Sequence, residues 1–218
     1  MDKARPLPES LVARYREWQE RRAPETLDTL AAAAAATQAP MAMIITCCDS
    51  RVLISEVFGN DVPGDFFIHR NIANLVPPHQ PDGESHGTSA AIEYATIALK
   101  VEHLIVMGHH ACGGVRGCHD MLAGLAPDLD RPTSFVGTWL RILKPGYDAL
   151  AGRGLGYEER IHALEREAVM VSLRNLMTFP FVRERVEDGR LQLHGLWKDI
   201  RNGALEVYDP AAGGFVPL

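Results

Sequence analysis

Two apolar segments of this chain each end in side chains that can bind a metal ion. Residues 44–46 form a short apolar and β-branched run, typical of a buried strand, and the run stops at Cys47. Residues 103–107 form a second such run, which leads into the turn of residues 108–112. In a parallel α/β sheet, functional groups collect at the carboxyl ends of the strands. The pattern therefore predicts a sheet with potential metal ligands along one edge.

The second turn carries two of these ligands at a close spacing. His109 and Cys112 are separated by two residues, so one tight turn can present both side chains to a single ion. With Cys47 they make a set of two sulfur donors and one imidazole, which zinc prefers. Three protein ligands leave a fourth position for water, as in catalytic zinc sites. A lone cysteine is usually just a small hydrophobic residue, so the prediction depends on all three together.

Asp49 and Arg51 follow the first cysteine closely. A guanidinium can keep a neighbouring carboxylate ionised and oriented, and that carboxylate can accept a hydrogen bond from a reacting water. The alternative is a plain surface ion pair, which would contribute little. Cys48 is expected to pack in the core, because successive strand residues point to opposite faces.

Composition and charge favour a small-molecule enzyme. The 218 residues suit one α/β domain with a substantial core. The formal net charge of -6 gives no support to nucleic-acid or membrane binding, so we expect a small substrate or a second copy of the chain as partner. The charged start is unlike a secretory signal, and four cysteines at metal-binding or core positions suit a reducing compartment. We therefore expect a cytoplasmic protein.

Strand and helix patterns alternate along residues 40–218. They predict a single α/β domain with a central, mostly parallel sheet flanked by helices. A crossover helix is expected over residues 87–100 and a long helix over residues 158–177. Residues 191–197 and 204–208 are expected to form a closing pair of strands joined by a turn.

Residues 1–39 are expected to form an N-terminal helical arm. The first predicted helix, residues 10–22, places Leu11, Val12, Tyr15 and Trp18 on one apolar stripe. An alanine-rich second helix follows, and alanine is the strongest helix former. The stripe needs a surface to cover it, either in the same domain or in another copy of the chain.

The two turns together resemble the β-class carbonic anhydrases. Residues 47–51 read Cys-x-Asp-Ser-Arg and residues 108–114 read Gly-His-x-x-Cys-Gly-Gly. Residues 69–74, 87–95 and 194–197 also fit the family, and the similarity runs from about residue 40 to residue 209. The resemblance implies the family's α/β fold and its zinc-dependent, reversible hydration of carbon dioxide to bicarbonate and a proton.

The resemblance also implies roles for single residues. It makes Cys47, His109 and Cys112 the Zn²⁺ ligands and Asp49 and Arg51 the catalytic pair; in some members the aspartate itself takes the fourth zinc position. It further implies a homodimer or a dimer of dimers, with the arm lying over a partner. Expected substrate-pocket residues are Asn71, Gly87, Thr88 and Gly113.

Two positions depart from branches of the family. Some members carry a substrate-contacting glutamine just before a Pro-Gly pair, where this chain has Val62. Others carry a tryptophan three residues before the first ligand cysteine, tied to an inhibitory bicarbonate site, where this chain has Ile44. The first difference leaves substrate contacts open, and the second argues against that regulatory site.

The motifs leave other functions open. Relatives with the same motifs hydrolyse carbon disulfide or carbonyl sulfide. A zinc module without turnover is a further alternative, although structural zinc sites are usually closed by a fourth protein ligand. A metal-free thiol enzyme using Cys47 is disfavoured, because no separate Cys/His pairing is evident.

Overall fold

A computed structural model describes residues 3–22, 24–59 and 63–218 of the chain. The chain divides into two compact units, Met1–Gln38 and Ala39–Leu218, and each is described by itself. Among the described residues, no helix combines the length and apolar character that crossing a membrane requires.

The first unit consists of two helices, α1 (Glu9–Arg21) and α2 (Pro24–Ala35). No residue of α1 is buried. Its apolar stripe is about half exposed, and the rings of Tyr15 and Trp18 stack at 6.0 Å between centroids. The guanidinium of Arg22 lies over the Trp18 ring at 4.6 Å. The stripe is therefore locally ordered but uncovered.

The second unit is built on a sheet in which six strands of the described residues run in the order β2-β1-β3-β4-β5-β6. β2, β1, β3 and β4 are parallel neighbours, whereas β5 and β6 continue the sheet antiparallel. The predicted fold class, a mostly parallel sheet flanked by helices, is confirmed. The strands are β1 (Ala42–Cys47), β2 (Phe66–Asn71), β3 (His103–His109), β4 (Gln192–Lys198), β5 (Leu205–Asp209) and β6 (Gly214–Pro217).

Helices connect and cover these strands. The predicted crossover helix begins as α4, but Tyr94–Ala98 continues it as a π-helical segment, and short 3₁₀ turns occur at Ile72–Asn74 and Arg141–Leu143. The long helix predicted over residues 158–177 is present as α8. The helices are α3 (Ser55–Phe58), α4 (Gly87–Glu93), α5 (Gly113–Leu122), α6 (Phe135–Leu140), α7 (Lys144–Ala149), α8 (Tyr157–Leu176) and α9 (Pro180–Glu187).

Helix α8 packs directly on the centre of the sheet because two strand positions there lack side chains. A Cβ built on Gly108 of β3 would lie 2.9 Å from Val169 Cγ2, and one built on Gly195 of β4 would lie 3.0 Å from Val169 Cγ1. Val169 is fully buried, with one methyl group over each glycine. The close approach of α8 therefore depends on glycine at both positions.

We expect Gly108→Ala to lower the free energy of unfolding by about 1–3 kcal/mol, the usual cost of overpacking a core. The added methyl group would also meet the backbone oxygen of Glu165 at 3.2 Å, so moving Val169 alone cannot relieve the clash. Urea unfolding monitored by circular dichroism measures the change. Gly214→Ala is the control, because no atom lies within 4 Å of its built Cβ and its φ is not left-handed. Equal stabilities of the two variants would contradict this packing argument.

Candidate metal centre

The sheet brings the two motif turns together. β1 and β3 are parallel neighbours with Thr46 opposite Met107, so both strands end at the same edge within a few residues. The Thr46 hydroxyl donates a hydrogen bond to the Met107 carbonyl at 3.0 Å. Cys47 is the last residue of β1 and His109 the last of β3. Cys112 follows as the N-cap of α5.

Cys47, His109 and Cys112 converge as the sequence predicts. Their candidate ligand atoms all lie within 4.8 Å of one another, and the two sulfur atoms are 3.9 Å apart. All three residues are buried. Two sulfur atoms and one imidazole nitrogen at this spacing match the donors of a zinc-type site with three protein ligands.

The hydrogen bonding of His109 leaves one ring nitrogen available to a metal. Its Nδ1 lies 2.9 Å from the His110 carbonyl oxygen, which only accepts, so Nδ1 carries the proton. Nε2 is buried and finds no hydrogen-bond partner among the described residues. A buried polar atom without a partner is costly, and a metal ion would satisfy this one. The residues present therefore fit a metal ion.

Backbone amides stabilise the thiolates that a metal site needs. The pKa of Cys47 is lowered, first by the contact with Cys112, then by the His109 side chain and by backbone hydrogen bonds from Asp49 and Ala73, while burial opposes the shift. The Cys47 contact raises the pKa of Cys112, while backbone hydrogen bonds from Gly114 and Val115, at the start of α5, oppose that rise. Helix N-termini favour negative charge, so the first turn of α5 suits a thiolate.

Asp49 and Arg51 form a two-pronged ion pair beside the cluster. Arg51 Nε donates to Asp49 Oδ1 at 2.9 Å and Arg51 Nη2 to Oδ2 at 2.6 Å. This pairing holds the pKa of the Asp49 carboxyl well below its usual range, although partial burial opposes the shift. Asp49 Oδ2 lies 4.0 Å from the free His109 Nε2. Arg51 Nη2 also donates to the Ala111 carbonyl at 3.1 Å, so it links the two ligand-bearing turns.

Sequence reasoning gave no individual role to Arg70. Its Nε donates to the Cys47 carbonyl at 3.0 Å and its Nη2 to the Asp49 carbonyl at 2.8 Å. The side chain therefore fixes the backbone on both sides of Cys48. Its position next to Asn71 in a family motif was the available signal, but a motif does not say which backbone groups an arginine will reach.

A cavity of about 1150 Å³ has Cys48, the residue after Cys47, in its wall, whereas the three candidate ligands, Asp49 and Arg51 are not among its lining residues. Asn71, Gly87 and Thr88 line it, whereas Gly113 is not among the lining residues and begins α5. Asn71 also clamps the next turn, since its Nδ2 donates to the Leu75 carbonyl at 2.8 Å and its Oδ1 accepts from Leu75 N at 3.0 Å.

The expectation that Cys48 packs in the core is wrong. β1 ends at Cys47, so the alternation of faces stops there, and Cys48 is exposed on the cavity wall. Its backbone N–H donates to the Asn71 carbonyl at 2.8 Å. Val62, the position of the departure described above, lies outside the described residues.

A second residue that sequence reasoning missed is Glu165 of α8. Its side chain is buried and its Oε1 accepts a hydrogen bond from the Cys112 backbone N–H at 3.2 Å. In the sequence it occurs inside a helix with mixed charged and apolar residues, where a glutamate is usually solvated. Only the docking of α8 against the sheet places this carboxylate behind the metal-binding turn.

Comparison with known proteins places these features in one family. A family model described as carbonic anhydrase matches residues 42–205. The protein named beta carbonic anhydrase 3 from Arabidopsis thaliana is 36% identical over 183 residues, which cover 83% of this chain and 69% of that protein.

Solved structures agree. The β-carbonic anhydrase CcaA superposes with a TM-score of 0.80 at 28% identity, covering 96% of this chain and 91% of the other. A structure from a study of two tetrameric β-carbonic anhydrases of the ascomycete Sordaria macrospora gives a TM-score of 0.76 at 30% identity, covering 95% and 98%. The matched segment contains both ligand-bearing turns. The comparisons favour neither a hydrolase of carbon disulfide or carbonyl sulfide nor a zinc module without turnover. The chain therefore belongs to the carbonic anhydrase family, in its β class, and is a lyase that interconverts carbon dioxide and bicarbonate.

Proposed function

We propose that this carbonic anhydrase works with Zn²⁺ held by Cys47, His109 and Cys112. These three buried side chains converge, and His109 Nε2 has no hydrogen-bond partner in the described part of the chain; this is the observation that carries the proposal. Sulfur and imidazole donors suit zinc better than magnesium or calcium, which take oxygen ligands. When bound, zinc supplies a Lewis acid that makes a water molecule acidic enough to react near neutral pH.

The residues of the chain orient the reacting water. In the hydration direction, the water oxygen adds to the carbon of carbon dioxide and a proton is released. Asp49 remains ionised because Arg51 donates to both of its oxygens, so it acts as a hydrogen-bond acceptor for the water. Arg51 in turn keeps the carboxylate facing the cluster. An acceptor fixed in this way favours a reactive orientation of the water.

The cavity beside the cluster gives substrate a path from solvent. Apolar side chains such as Ile72, Phe135 and Trp139 form much of its wall, which suits the apolar carbon dioxide molecule. Asn71 and Thr88 supply the polar groups that bicarbonate needs. His69 Nε2 lies 3.0 Å from Thr88 Oγ1 and fixes that hydroxyl at the base of α4.

Zinc and activity are expected to disappear together when a ligand is removed. Elemental analysis of the purified wild type should find about one zinc ion per chain, and Cys112→Ser or His109→Ala should bind it at least about tenfold more weakly. Cys48→Ser is the control, because it changes an adjacent thiol outside the cluster and should keep its zinc. Carbon dioxide hydration by a variant free of metal would show that the chemistry lies elsewhere.

We expect Arg51→Ala to keep zinc but lower kcat about a hundredfold, the order of effect that misplacing a reacting group produces. The released Asp49 carboxylate is then free to approach the metal cation. The kcat of Arg51→Lys should lie between those of the wild type and Arg51→Ala, because an ammonium cannot bind both carboxylate oxygens as a guanidinium fork does. Stopped-flow hydration measurements with parallel zinc analysis test this.

Arg190→Ala is the matched control for Arg51→Ala. Asp188 and Arg190 have the same spacing in the sequence and the same 2.6 Å separation between Nη2 and Oδ2. The two arginines are similarly exposed, but the Asp188 side chain is 52% exposed and that of Asp49 only 15%. An exposed pair of this kind contributes little. If Arg51→Ala hydrated carbon dioxide as fast as Arg190→Ala, the Asp49–Arg51 pair would be only a surface ion pair.

We further propose that the chain assembles at least as a homodimer. The uncovered stripe of α1 supports this, because Leu11, Tyr15 and Trp18 are each about half exposed. β2 is also an edge strand, with Ile68 46% exposed. The two similar β-carbonic anhydrases from Sordaria macrospora are tetrameric, which is consistent with a dimer of dimers. Residues 1–39 would then act as the arm that contacts the partner.

Light scattering is expected to give at least twice the chain mass of 24.0 kDa at micromolar concentration. The double variant Tyr15→Ser/Trp18→Ser should dissociate at about tenfold higher concentration, because burial of two aromatic side chains is lost. Arg14→Ser changes a polar residue of the same helix and should leave the mass unchanged. A wild-type mass of one chain would contradict the proposal.

We place this enzyme in the cytoplasm. All four cysteines are free thiols, and two of them are needed in the reduced form to bind a metal. Reducing compartments keep thiols in this form, whereas secreted proteins commonly use cysteine pairs as disulfides.

A further inference from the structure

Glu165 is a buried carboxylate with an unusual set of contacts. It is 1% exposed. Oε1 accepts from the Cys112 backbone N–H at 3.2 Å, and Oε2 lies 3.3 Å from Nδ1 of the half-exposed His162. Among the described residues, no lysine or arginine forms an ion pair with it. Burying a carboxylate in this way is costly unless its oxygens are used as acceptors.

Packing of α8 on the sheet does not explain this carboxylate. The helix is already docked by Val169, whose methyl groups fill the space above Gly108 and Gly195. Leu164 and Ala168 on either side of Glu165 are fully buried in the apolar core that also contains Cys112. The Glu165 side chain instead meets the Cys112 N–H and the His162 ring, and Arg201 interacts with it electrostatically. The carboxylate must therefore be explained by what its oxygens contact.

The Cys112 backbone N–H needs an acceptor from outside its own helix. Cys112 is the N-cap of α5, with φ −69° and ψ 115°, and amides at a helix start have no partner within the helix. The preceding residue, Ala111, has a left-handed φ of 56°, which turns the chain sharply toward the cluster. Glu165 accepts from the N–H of the cysteine itself, in the turn that sets where its sulfur lies.

Other elements hold the rest of this turn. The His110 N–H donates to the Lys198 carbonyl at 2.9 Å, and the Ala111 carbonyl accepts from Arg51 Nη2 at 3.1 Å. The ring of His162, which contacts Glu165 Oε2, stacks on the ring of His110 with 4.8 Å between centroids. Glu165 and His162 thus support the turn from one side, and β4 and Arg51 support it from others.

We propose that Glu165 is a positioning residue of the metal centre: its buried carboxylate fixes the backbone of Cys112 and so preorganises the thiolate for the metal. This rests on the proposed zinc site. Groups that orient metal ligands without touching the metal are typically worth a factor of about 10–100 in metal affinity. Glu165 does not line the cavity and hydrogen-bonds the Cys112 backbone, so we expect its effect to act through Cys112.

Metal release tests the proposal without reference to activity. Zinc-loaded protein is mixed with an excess of a chelating dye, and the rate of transfer is followed. Glu165→Met keeps an unbranched chain of similar length but no acceptor, and is expected to release zinc about tenfold faster than the wild type. Glu165→Gln keeps an acceptor oxygen and is expected to stay within about threefold of the wild type. Glu165→Asp keeps the charge but is one methylene short, and is expected to release zinc faster than Glu165→Gln.

Two controls separate positioning from loss of stability. Glu167→Met removes a carboxylate from the same helix without touching the turn, and Leu176→Ala destabilises the distant end of α8. Both are expected to release zinc at the wild-type rate while folded. The Co²⁺-substituted protein gives a second readout, since its thiolate-to-metal absorption band should shift in Glu165→Met and remain unchanged in both controls. If Glu165→Met does not fold, the comparison of Glu165→Asp with Glu165→Gln decides.

The possible outcomes distinguish this inference from the proposed function. Wild-type release rates and an unshifted cobalt band in both Glu165→Met and Glu165→Asp, with zinc lost from Cys112→Ser, would overturn the role of Glu165 alone. Release from Leu176→Ala as fast as from Glu165→Met would also overturn it, since stability would then explain the result. A wild type that binds neither zinc nor cobalt would overturn the metal site and the positioning role together.

Discussion

The site depends on the parallel pairing of β1 with β3. Two ligand-bearing turns that are more than sixty residues apart meet because both strands end at one edge of the sheet. Strand register is strongly fixed here, since a slip by one residue would turn every buried side chain of β1 to the opposite face. All six residues of β1 are buried, so such a slip would exchange the side chains on the two covered faces and break the packing on both. Core packing and ligand placement are thus set by the same alignment.

Around this edge, the chain supplies partners for groups that would be unfavourable when buried. Backbone amides from Asp49, Ala73, Gly114 and Val115 support the two sulfur atoms. Arg70 binds the carbonyls on either side of Cys48. The turn around Cys112 is held from a neighbouring strand, a helix and the first ligand turn. Since each support comes from a different element, the site is rigid only when the whole domain is assembled.

Much of this arrangement could be predicted from local patterns. Buried strands have a clear apolar signature in the sequence. In a parallel sheet the topology alone places the residues at the strand ends, so the convergence of Cys47, His109 and Cys112 could be predicted. The fold class followed from the alternation of strands and helices. The closing pair of strands was also found, as antiparallel β4 and β5.

Other features depend on contacts between segments that are distant in the chain, and such contacts cannot be inferred from the local pattern of a single sequence. Cys48 was expected in the core because the alternation of faces was carried one residue too far. The short strand β6 and the helix α9 were not predicted, and β6 is held in the sheet by its antiparallel pairing with β5. Arg70 and Glu165 are ordinary charged residues in sequence terms. Their roles arise from which backbone groups they reach after folding.

The pair of glycines beneath α8 has a consequence for how this sequence can change over evolutionary time. Gly108 and Gly195 carry no functional group, yet they set the height of the helix above the sheet, and that helix carries the only side chain among the described residues that hydrogen-bonds the Cys112 amide. A substitution that lifts α8 slightly would withdraw Glu165 from the turn. Substitution at these two positions is therefore limited by packing and also by the hydrogen bond between the Cys112 N–H and Glu165, which a shift of α8 would lengthen. A smaller residue at position 169 would not be enough to compensate, because the backbone oxygen of Glu165 lies 3.2 Å from a Cβ built on Gly108 and Leu173 Cδ1 lies 3.1 Å from one built on Gly195.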